Sequence, residues 1–417
     1  MTIVSTDSVF LFLFKEDFMK VLVINCGSSS IKYQLFNMEN ESVIAKGLAE
    51  KIGLPEGKID LKVTEDEKKV EVVLPIPNHA VALDKVLELM TENEVIQDKS
   101  EIKAIGHRLV HAGEYYNGSV KITDDVIKRL EECSDLAPLH NPPNILGVKT
   151  CFELFPGTFM SGTFDTAFHQ TMPDYAYIYP ISYDYYENYK VRRYGFHGSS
   201  HSFVAARAAE MLGKDIKDTK IITCHLGNGC SIAAVDGGKS VDTSMGLTPL
   251  EGIMMGTRSG DIDPALIFFL AEKEGGDFNA VSTMLNKNSG LLGVSGISND
   301  MRDVRSARDN GIQRAELALN IFKYRLKKYI GAYAAAMGGV DAVVFTGGIG
   351  ENVWEIREDS ISGLDFIGIE IDKDLNKTVF GTEAVINTRL SKVKVFVIPT
   401  NEELVIARDA KNLYESN

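Results

Sequence analysis

The sequence predicts an α/β protein whose two halves resemble each other. Segments typical of β-strands alternate with segments whose apolar residues recur at helical spacing, which is the pattern of α/β folds. Two β-rich runs, residues 21–36 and 221–235, are each interrupted by a turn of small and polar residues and lie about 200 residues apart. Each run predicts a β-hairpin at the head of one half. Their similarity has two explanations, which are chance and a duplicated domain.

Further helices and strands are predicted along the whole chain. Helical spacing of apolar residues is found in residues 80–93, 123–133, 202–212, 264–274 and 315–337. The last of these segments is the longest, and two glycines after it give a stop signal. Short β-rich runs predict strands at residues 104–106, 158–162, 342–346 and 394–398. Neither a linker nor a low-complexity stretch interrupts this order, so we expect the domains to pack closely.

Composition excludes several classes of protein. A chain of 417 residues with 44% hydrophobic and 24% charged residues is expected to fold around a sizeable core, in two or three domains. Its net charge of −14 argues against a nucleic-acid partner, although a few local basic groups would suffice for a small anion. Five irregularly spaced cysteines predict a reducing, cytoplasmic location. No apolar run reaches the roughly 20 residues of a membrane helix.

Residues 1–18 differ from the rest of the chain. They contain a short apolar patch but lack the positive start and the small-residue cleavage site of a signal peptide. From Met19 onward the sequence becomes a regular strand pattern. We therefore expect Met19 to be the true start and residues 1–18 to be a non-native or start-site leader.

Three glycine-rich turns follow predicted strands, at residues 25–30, 225–229 and 347–352. Glycine lets a phosphate approach the backbone closely, and backbone amides, the serine hydroxyls of the first turn and nearby Lys32 could then donate to its oxygens. None of the turns has the Walker or the GxGxxG pattern. Each is therefore either an ordinary polar turn or part of another kind of nucleotide site.

Two histidine pairs have the i,i+4 spacing that can chelate zinc on a helix, namely His107 with His111 and His197 with His201. Neither pair carries the glutamate of HExxH, and both lie in glycine-rich or strand-like sequence. We therefore do not expect a metal site of this kind.

Three charged residues stand out by their sequence context. Arg108 follows a short apolar strand, Asp165 ends a strand, and Arg258 lies in a glycine-rich loop. Taken one at a time, each is better explained as a solvated or ion-paired surface group.

Taken together, nine sequence blocks resemble the acetate kinase family, a branch of the acetate and sugar kinase, heat-shock protein 70 and actin superfamily. The blocks run in family order from Met19 to the C-terminus without a large gap. They are VLVINCGSSSIKY, GHRLVHAGE, LAPLHNPPN, FDTAFHQTMP, RRYGFHGSSH, HLGNGCSIAAVDGGKSVDTSMGLTPLEGIMMGTRSGDIDP, DMRDVR, FTGGIGEN and IPTNEEL. The resemblance implies an α/β fold of two duplicated actin-like (ribonuclease H-like) domains with the active site in the cleft between them.

The resemblance also implies domain limits and an activity. The N-terminal domain would comprise residues 19–168 plus 403–417, because the last helix of the family packs back on the first domain, and the C-terminal domain residues 169–402. The implied reaction is reversible, direct in-line transfer of the γ-phosphoryl group of ATP to acetate with Mg²⁺ or Mn²⁺, giving acetyl phosphate and ADP. A homodimer is implied as well.

Site residues follow from the resemblance, position by position. Asp165 matches the catalytic acid, and His197 and Arg258 match two stabilisers of the transition state. Arg108 matches the arginine that holds the acetate carboxylate, in a pocket completed by Val110, Leu139, Phe196 and Pro249. The magnesium-associated positions are Asn25 and Glu402. The positions that contact the nucleotide are Lys32, His225, Leu226, Gly227, Asn228, Gly229, Asp300, Met301, Arg302, Gly348, Ile349, Gly350, Glu351 and Asn352.

The chemistry of phosphoryl transfer suits this set of residues. Charge spreads over the equatorial oxygens of a loose transition state, where fixed cations and hydrogen-bond donors stabilise it. Acetate is already ionised at neutral pH and needs no general base. We therefore expect Asp165 to act mainly by orienting Arg258, Arg108 or the metal shell.

Two alternatives remain open at this point. A propionate kinase of the same family would differ only in its pocket, where one methylene changes binding by roughly 1–3 kcal/mol. A non-catalytic actin-like nucleotide switch would share the phosphate loops but has no reason to keep two arginines, a histidine and a methyl pocket in one cleft.

Overall fold

Two β-sheets organise residues 18–417, which are the residues that the computed structural model describes. The leader predicted for residues 1–18 lies outside this range, apart from Phe18. The strands of the first sheet, numbered in chain order, are β1 (Lys20–Cys26), β2 (Ser30–Asn37), β3 (Ser42–Glu50), β4 (Gly57–Val63), β5 (Lys69–Leu74), β6 (Ile102–Leu109), β7 (Val120–Lys121) and β8 (Phe159–Phe164). Those of the second sheet are β9 (Lys220–Leu226), β10 (Cys230–Asp236), β11 (Lys239–Thr243), β12 (Ala342–Thr346), β13 (Ala384–Val385) and β14 (Lys394–Val397).

Helices cover both sheets. They are α1 (His79–Glu92), α2 (Asp124–Glu132), α3 (Asn141–Leu154), α4 (Asp174–Tyr177), α5 (Asp184–Tyr189), α6 (Gly198–Leu212), α7 (Ala265–Lys273), α8 (Phe278–Lys287), α9 (Gly290–Ser295), α10 (Met301–Asp309), α11 (Gln313–Ala336), α12 (Gly347–Asn352), α13 (Trp354–Ile361), α14 (Lys373–Asn376) and α15 (Glu402–Glu415). Within residues 18–417, none of them is long and apolar enough to cross a membrane.

The two sheets repeat one topology. The first has the strand order β5-β4-β3-β2-β1-β6-β8-β7 and the second the order β11-β10-β9-β12-β14-β13. In each, a hairpin strand (β1 or β9) pairs antiparallel with the strand that follows it and parallel with a later strand (β6 or β12). The five strands β3-β2-β1-β6-β8 therefore correspond in order and direction to β11-β10-β9-β12-β14. Both predicted hairpins are confirmed, and the shared topology favours duplication over chance.

Strand β1 is buried on both faces, which explains its continuous apolar sequence. Leu22 and Ile24 pack in one core with residues of α1 and α3, whereas Val21 and Val23 pack in another with residues of α15. The apolar side chains of α15 therefore cover the second face of the first sheet. The residue limits predicted for the two domains remain a prediction.

The predicted helices and strands are confirmed to within a few residues, but several elements were not predicted. Strands β3–β5 extend the first sheet, and α3 begins in a sequence whose two prolines resemble a loop. Helix α6 begins at Gly198, four residues before the predicted start. The backbone of His197 is left-handed (φ 58°), and the N–H of Gly198 donates to the carbonyl oxygen of Asp165, which together start the helix inside a glycine- and serine-rich segment.

Contact between α15 and the first sheet requires a glycine at position 106. A Cβ atom at Gly106 would lie 2.6 Å from Cγ2 of Ile406 and 3.1 Å from its carbonyl oxygen. We expect Gly106→Ala to lower the free energy of unfolding by about 1–3 kcal/mol through overpacking, as measured by urea unfolding.

The matched control is Gly331→Ala. Gly331 lies inside α11 with no heavy atom within 4 Å of its would-be Cβ, so alanine there should stabilise the protein by about 1 kcal/mol. Equal unfolding midpoints for the Gly106 variant and the parent would show that α15 is not held against the sheet.

Candidate active site

The carboxyl ends of the parallel strands carry the predicted polar residues. Asn25 is the penultimate residue of β1, Arg108 of β6 and His225 of β9, while Asp165 directly follows β8 and Gly347 directly follows β12. Ligands of open α/β sheets bind beyond these strand ends, because the loops there can vary without disturbing the sheet. Both sheets therefore present their functional ends in the same manner.

One cavity of about 240 Å³ brings together the predicted catalytic and substrate-binding residues. Its lining comes from both halves of the chain. It includes Asn25, Arg108, Val110, Leu139, Asp165, Phe196, His197, Gly229, Pro249 and Arg258.

Arg108 and Asp165 form a two-point ion pair in this cavity. Nε of Arg108 donates to Oδ1 of Asp165 at 2.9 Å, and Nη2 donates to Oδ2 at 2.8 Å. The pair raises the pKa of Arg108, mainly through the charge of Asp165. Asp165 uses the N–H of Nε and one N–H of Nη2, so an incoming carboxylate would meet Nη1, which has no partner among residues 18–417, and the second N–H of Nη2. Among the three roles expected for Asp165, the geometry favours the orientation of Arg108.

Arg258 carries a charge without an acidic partner. Its Nη1 donates to the carbonyl oxygen of Pro249 at 3.2 Å, and no carboxylate of the described chain lies within ion-pair distance. Burial lowers the pKa of Arg258, because the charged form is partly removed from water. A half-buried, unneutralised guanidinium favours the binding of an anion.

His197 is positioned beside Arg258. Its ring stacks on His225 at 4.3 Å between centroids, and its Nδ1 lies 2.8 Å from the hydroxyl oxygen of Ser231. Burial, reinforced by neighbouring charges, holds the pKa of His197 well below its usual value, so the ring is neutral. A Cβ atom at Gly229 would lie 3.4 Å from Nη1 of Arg258 and 3.6 Å from Nε2 of His197. Both side chains therefore face the same space above Gly229.

The apolar part of the cavity is formed by Val110, Phe196 and Leu139. Val110 and Phe196 are buried, whereas Leu139 is 73% exposed and lies at the cavity mouth. The N–H of Val110 donates to Oδ1 of buried Asn144, whose Nδ2 in turn donates to the carbonyl oxygen of Cys26. Asn144 was not predicted as a site residue, although it belongs to the block LAPLHNPPN. It ties the pocket to the first hairpin.

A second cavity of about 570 Å³ contains much of the predicted nucleotide set. Its lining includes Gly227, Asn228, Asp300, Met301, Arg302, Gly348, Ile349 and Asn352, together with the unpredicted Asn299, Arg305 and Val353. Arg305 forms an ion pair with Glu355 of α13. Arg305 follows Arg302 by one helical turn on α10, which is the only sequence signal that could have indicated it.

Other predicted nucleotide residues lie elsewhere. His225 stacks on His197, and Leu226 is fully buried in the core of the second sheet. Glu351 uses its side chain within its own loop, because Oε1 accepts from the N–H of Gly347 at 2.8 Å. Gly350 is buried as well, so these positions would shape the nucleotide loops rather than present side chains to a ligand.

Arg357 supports the loop of residues 347–352, called the nucleotide loop here. It is a fully buried residue of α13 that the sequence did not indicate. Its guanidinium donates to the carbonyl oxygens of Gly350, Glu351, Asn376 and Val379 and to Oδ1 of Asn376. Burial lowers the pKa of Arg357 to about 10. The residue therefore joins the loop to a distant segment through five neutral acceptors.

Asn25 and Glu402 offer oxygen donors for a divalent cation. Both line a third cavity, of about 500 Å³, which also contains Lys32 and Arg108. Burial raises the pKa of Glu402, and the charge of Arg108, 3.7 Å away, offsets only part of this effect. The described part of the chain holds no cluster of three His, Cys, Asp or Glu side chains suited to a metal. Mg²⁺ commonly binds one or two protein oxygens, with water and substrate phosphates completing its shell, so this donor set fits the ion.

Comparisons with known proteins agree with this geometry. Residues 20–408 match the model of the acetokinase family. An acetate kinase from Caldanaerobacter subterraneus subsp. tengcongensis is 59% identical over 95% of this chain and 99% of that protein. The crystal structure of Porphyromonas gingivalis acetate kinase matches with a TM-score of 0.92 and 50% identity, covering 95% of this chain and 99% of that chain.

A propionate kinase from Francisella tularensis subsp. tularensis matches with a TM-score of 0.88 and 42% identity, over 95% of this chain and 100% of that chain. These structural matches confirm the predicted α/β fold of two actin-like domains. The chain belongs to the acetokinase family.

Proposed function

We propose that the protein catalyses the acetate kinase reaction, the reversible transfer of the γ-phosphoryl group of ATP to acetate. The observation that carries the proposal is the convergence of Arg108, Asp165, His197 and Arg258 on one small cavity with an apolar wall. The propionate kinase alternative has weaker support, since the Francisella enzyme is less similar to this chain than the acetate kinases are.

Acetate would bind with its carboxylate on Nη1 of Arg108 and its methyl group against Val110 and Phe196. Asp165 holds the other edge of the guanidinium, so Arg108 cannot rotate away from the acceptor. An acetate oxygen then attacks the γ-phosphorus in line. The bond to the β-phosphate oxygen breaks, its electron pair leaves with ADP, and no proton is transferred.

Arg258 and His197 would stabilise the phosphoryl group in the transition state of the transfer. Arg258 has no acidic partner to weaken its attraction for the equatorial oxygens, and the neutral His197 can donate a hydrogen bond from its free ring nitrogen. Both side chains already face the space above Gly229, so neither has to reorient during the transfer.

Magnesium would be associated with Asn25 and Glu402. The bound ion supplies charge neutralisation for the phosphate oxygens. Glu402, at the first residue of α15, brings its carboxylate to the strand ends of both sheets, where it lies 3.7 Å from Arg108 and 4.0 Å from Nδ1 of His225.

A homodimer and a cytoplasmic location belong to the proposal. Phe268 and Phe269 of α7 and Phe278 of α8 are each more than half exposed, and exposed apolar patches of this kind favour association between subunits. All five cysteines are free and buried, as is usual in a reducing compartment.

The reaction is tested by trapping acyl phosphate with hydroxylamine in the presence of ATP and Mg²⁺. Acetate, propionate and butyrate are supplied in parallel. We expect most hydroxamate from acetate, because the walls formed by Val110 and Phe196 favour the smallest acid. Nucleotide binding without hydroxamate from any acid would contradict the acceptor assignment and revive the nucleotide switch.

The two arginines should differ kinetically. Arg258→Ala should lower kcat by about 100-fold or more with little change in the acetate KM, because its charge acts on the transition state. Arg108→Lys, which keeps a cation for Asp165, should lower kcat and also raise the acetate KM. Arg207→Ala, which removes an exposed arginine of α6, is the control. Unchanged kinetics for both site variants would refute their roles.

The metal position is tested with Glu402→Gln. We expect the Mg²⁺ concentration for half-maximal activity to rise about tenfold, because a charged oxygen donor is lost. Glu415→Gln, at the other end of the same helix, controls for helix charge and should leave the magnesium dependence unchanged. The same Mg²⁺ dependence in both variants would place the ion elsewhere.

A further inference from the structure

We propose that a buried chain of hydroxyl and imidazole groups, ending at Thr223, keeps the proton of His197 on Nε2, the ring nitrogen that faces the cavity. Thr223 and Ser231 are thereby positioning residues for His197. The inference rests on the proposed function only in that it gives His197 the role of a hydrogen-bond donor.

The hydroxyl and imidazole groups follow one another at hydrogen-bond distance and are buried from solvent. Oγ1 of Thr223 lies 2.7 Å from Nδ1 of His201, Nε2 of His201 lies 2.7 Å from Oγ of Ser231, and the same Oγ lies 2.8 Å from Nδ1 of His197. Thr223, His201 and Ser231 have no solvent exposure. They are contributed by β9, α6 and β10, so the helix that begins after His197 also supplies the next imidazole of the chain.

Only two arrangements of the protons allow Ser231 to form a hydrogen bond with both histidines and to use its own proton in one of them. Burial holds the pKa values of His197 and His201 well below the usual value, so each ring carries one proton. The single hydroxyl proton of Ser231 can reach only one of the two rings, and Ser231 must accept from the other. The two histidines are therefore coupled. Either both carry their proton on Nε2 or both carry it on Nδ1.

Thr223, the last group of this hydrogen-bonded series, decides which of the two proton arrangements forms. If His201 carried its proton on Nδ1, it would donate to Thr223, and the hydroxyl proton of Thr223 would need another acceptor. Oγ1 of Thr223 has no other hydrogen-bond partner within residues 18–417 and is sealed from water. An unpaired buried donor is costly. In the opposite arrangement Thr223 donates to His201, His201 donates to Ser231, and Ser231 donates to Nδ1 of His197.

The remaining proton then lies on Nε2 of His197, next to Arg258. A Cβ atom at Gly229 would be 3.6 Å from this nitrogen and 3.4 Å from Nη1 of Arg258. Phosphoryl oxygens accept hydrogen bonds, so the selected form of His197 attracts them, whereas the other form would present a lone pair.

In a neighbouring histidine, His169, a single backbone contact determines which ring nitrogen carries the proton. Nε2 of His169 lies 3.0 Å from the carbonyl oxygen of Phe196, which can only accept. Nδ1 of His169 must therefore accept from Ser240, 2.7 Å away. Within residues 18–417, Nδ1 of His197 has the hydroxyl oxygen of Ser231 as its partner and no carbonyl within hydrogen-bond distance. Its protonation site therefore depends on His201 and Thr223, beyond Ser231.

Nitrogen NMR of protein labelled with ¹⁵N-histidine tests the proposal directly, without substrates. We expect His197 and His201 of the unaltered protein both to be protonated on Nε2. Protonation of either ring on Nδ1 would overturn the proposal whatever the protein catalyses, and the expected spectrum from a protein without acetate-dependent activity would reject only the function.

The matched variants are Thr223→Val, which removes the hydroxyl at nearly constant volume, and Thr223→Ser, which keeps it. We expect the valine variant to show both forms of His197 and a kcat lowered about two- to tenfold, the worth of one neutral hydrogen bond, with the acetate and ATP KM values unchanged. Serine should restore both the spectrum and kcat. A valine variant with the spectrum and kcat of the parent would refute the role of Thr223.

Discussion

The ion pair between Arg108 and Asp165 is the interaction on which the cavity depends. It joins the ends of two parallel strands, and removing one member of such a buried pair leaves the other charge uncompensated, at a cost of about 3–5 kcal/mol. Because Asp165 occupies one whole edge of the guanidinium, the direction of the free edge is fixed. The carboxylate thus determines which part of Arg108 a ligand can meet.

The basic groups in and around the cavity differ in whether their charge is compensated. Arg108 is neutralised by Asp165, and burial keeps His197 and His225 uncharged, with the pKa of His225 lowered to about 4. Among the described residues that line this cavity, Arg258 alone retains a charge without a counter-ion. A cavity with one uncompensated cation and several neutral donors is suited to an anion that spreads its charge over several oxygens, which is the nature of a phosphoryl group during transfer.

The sequence predicted the parts of the fold whose patterns are local. Hairpins, buried strands and the long helix α11 depend on apolar periodicity and glycine positions. Strands β4 and β5 alternate apolar and charged residues, a strand pattern that was overlooked, whereas β3 lacks a regular pattern. For the site, single residues such as Arg258 were indistinguishable from surface charges until nine blocks were considered together. Asn144 and Arg305 were missed because their partners are remote in the chain, and the burial of Arg357 and Leu226 is set by tertiary packing. The hydrogen bond from Gly347 to the side chain of Glu351 is local, but no sequence pattern indicated it.

The buried guanidinium of Arg357 has a consequence for the thermodynamics of ligand binding. It contacts the loop of residues 347–352 through carbonyl oxygens alone, and both partners of these hydrogen bonds belong to the protein itself. A loop that is already ordered loses little conformational entropy when its ligand arrives, so less of the interaction free energy is spent on ordering. The contacts of Arg357 involve no carboxylate, and the only acidic side chain within the loop is that of Glu351, which accepts from the N–H of Gly347. The scaffold itself therefore contributes to the rigidity of this loop.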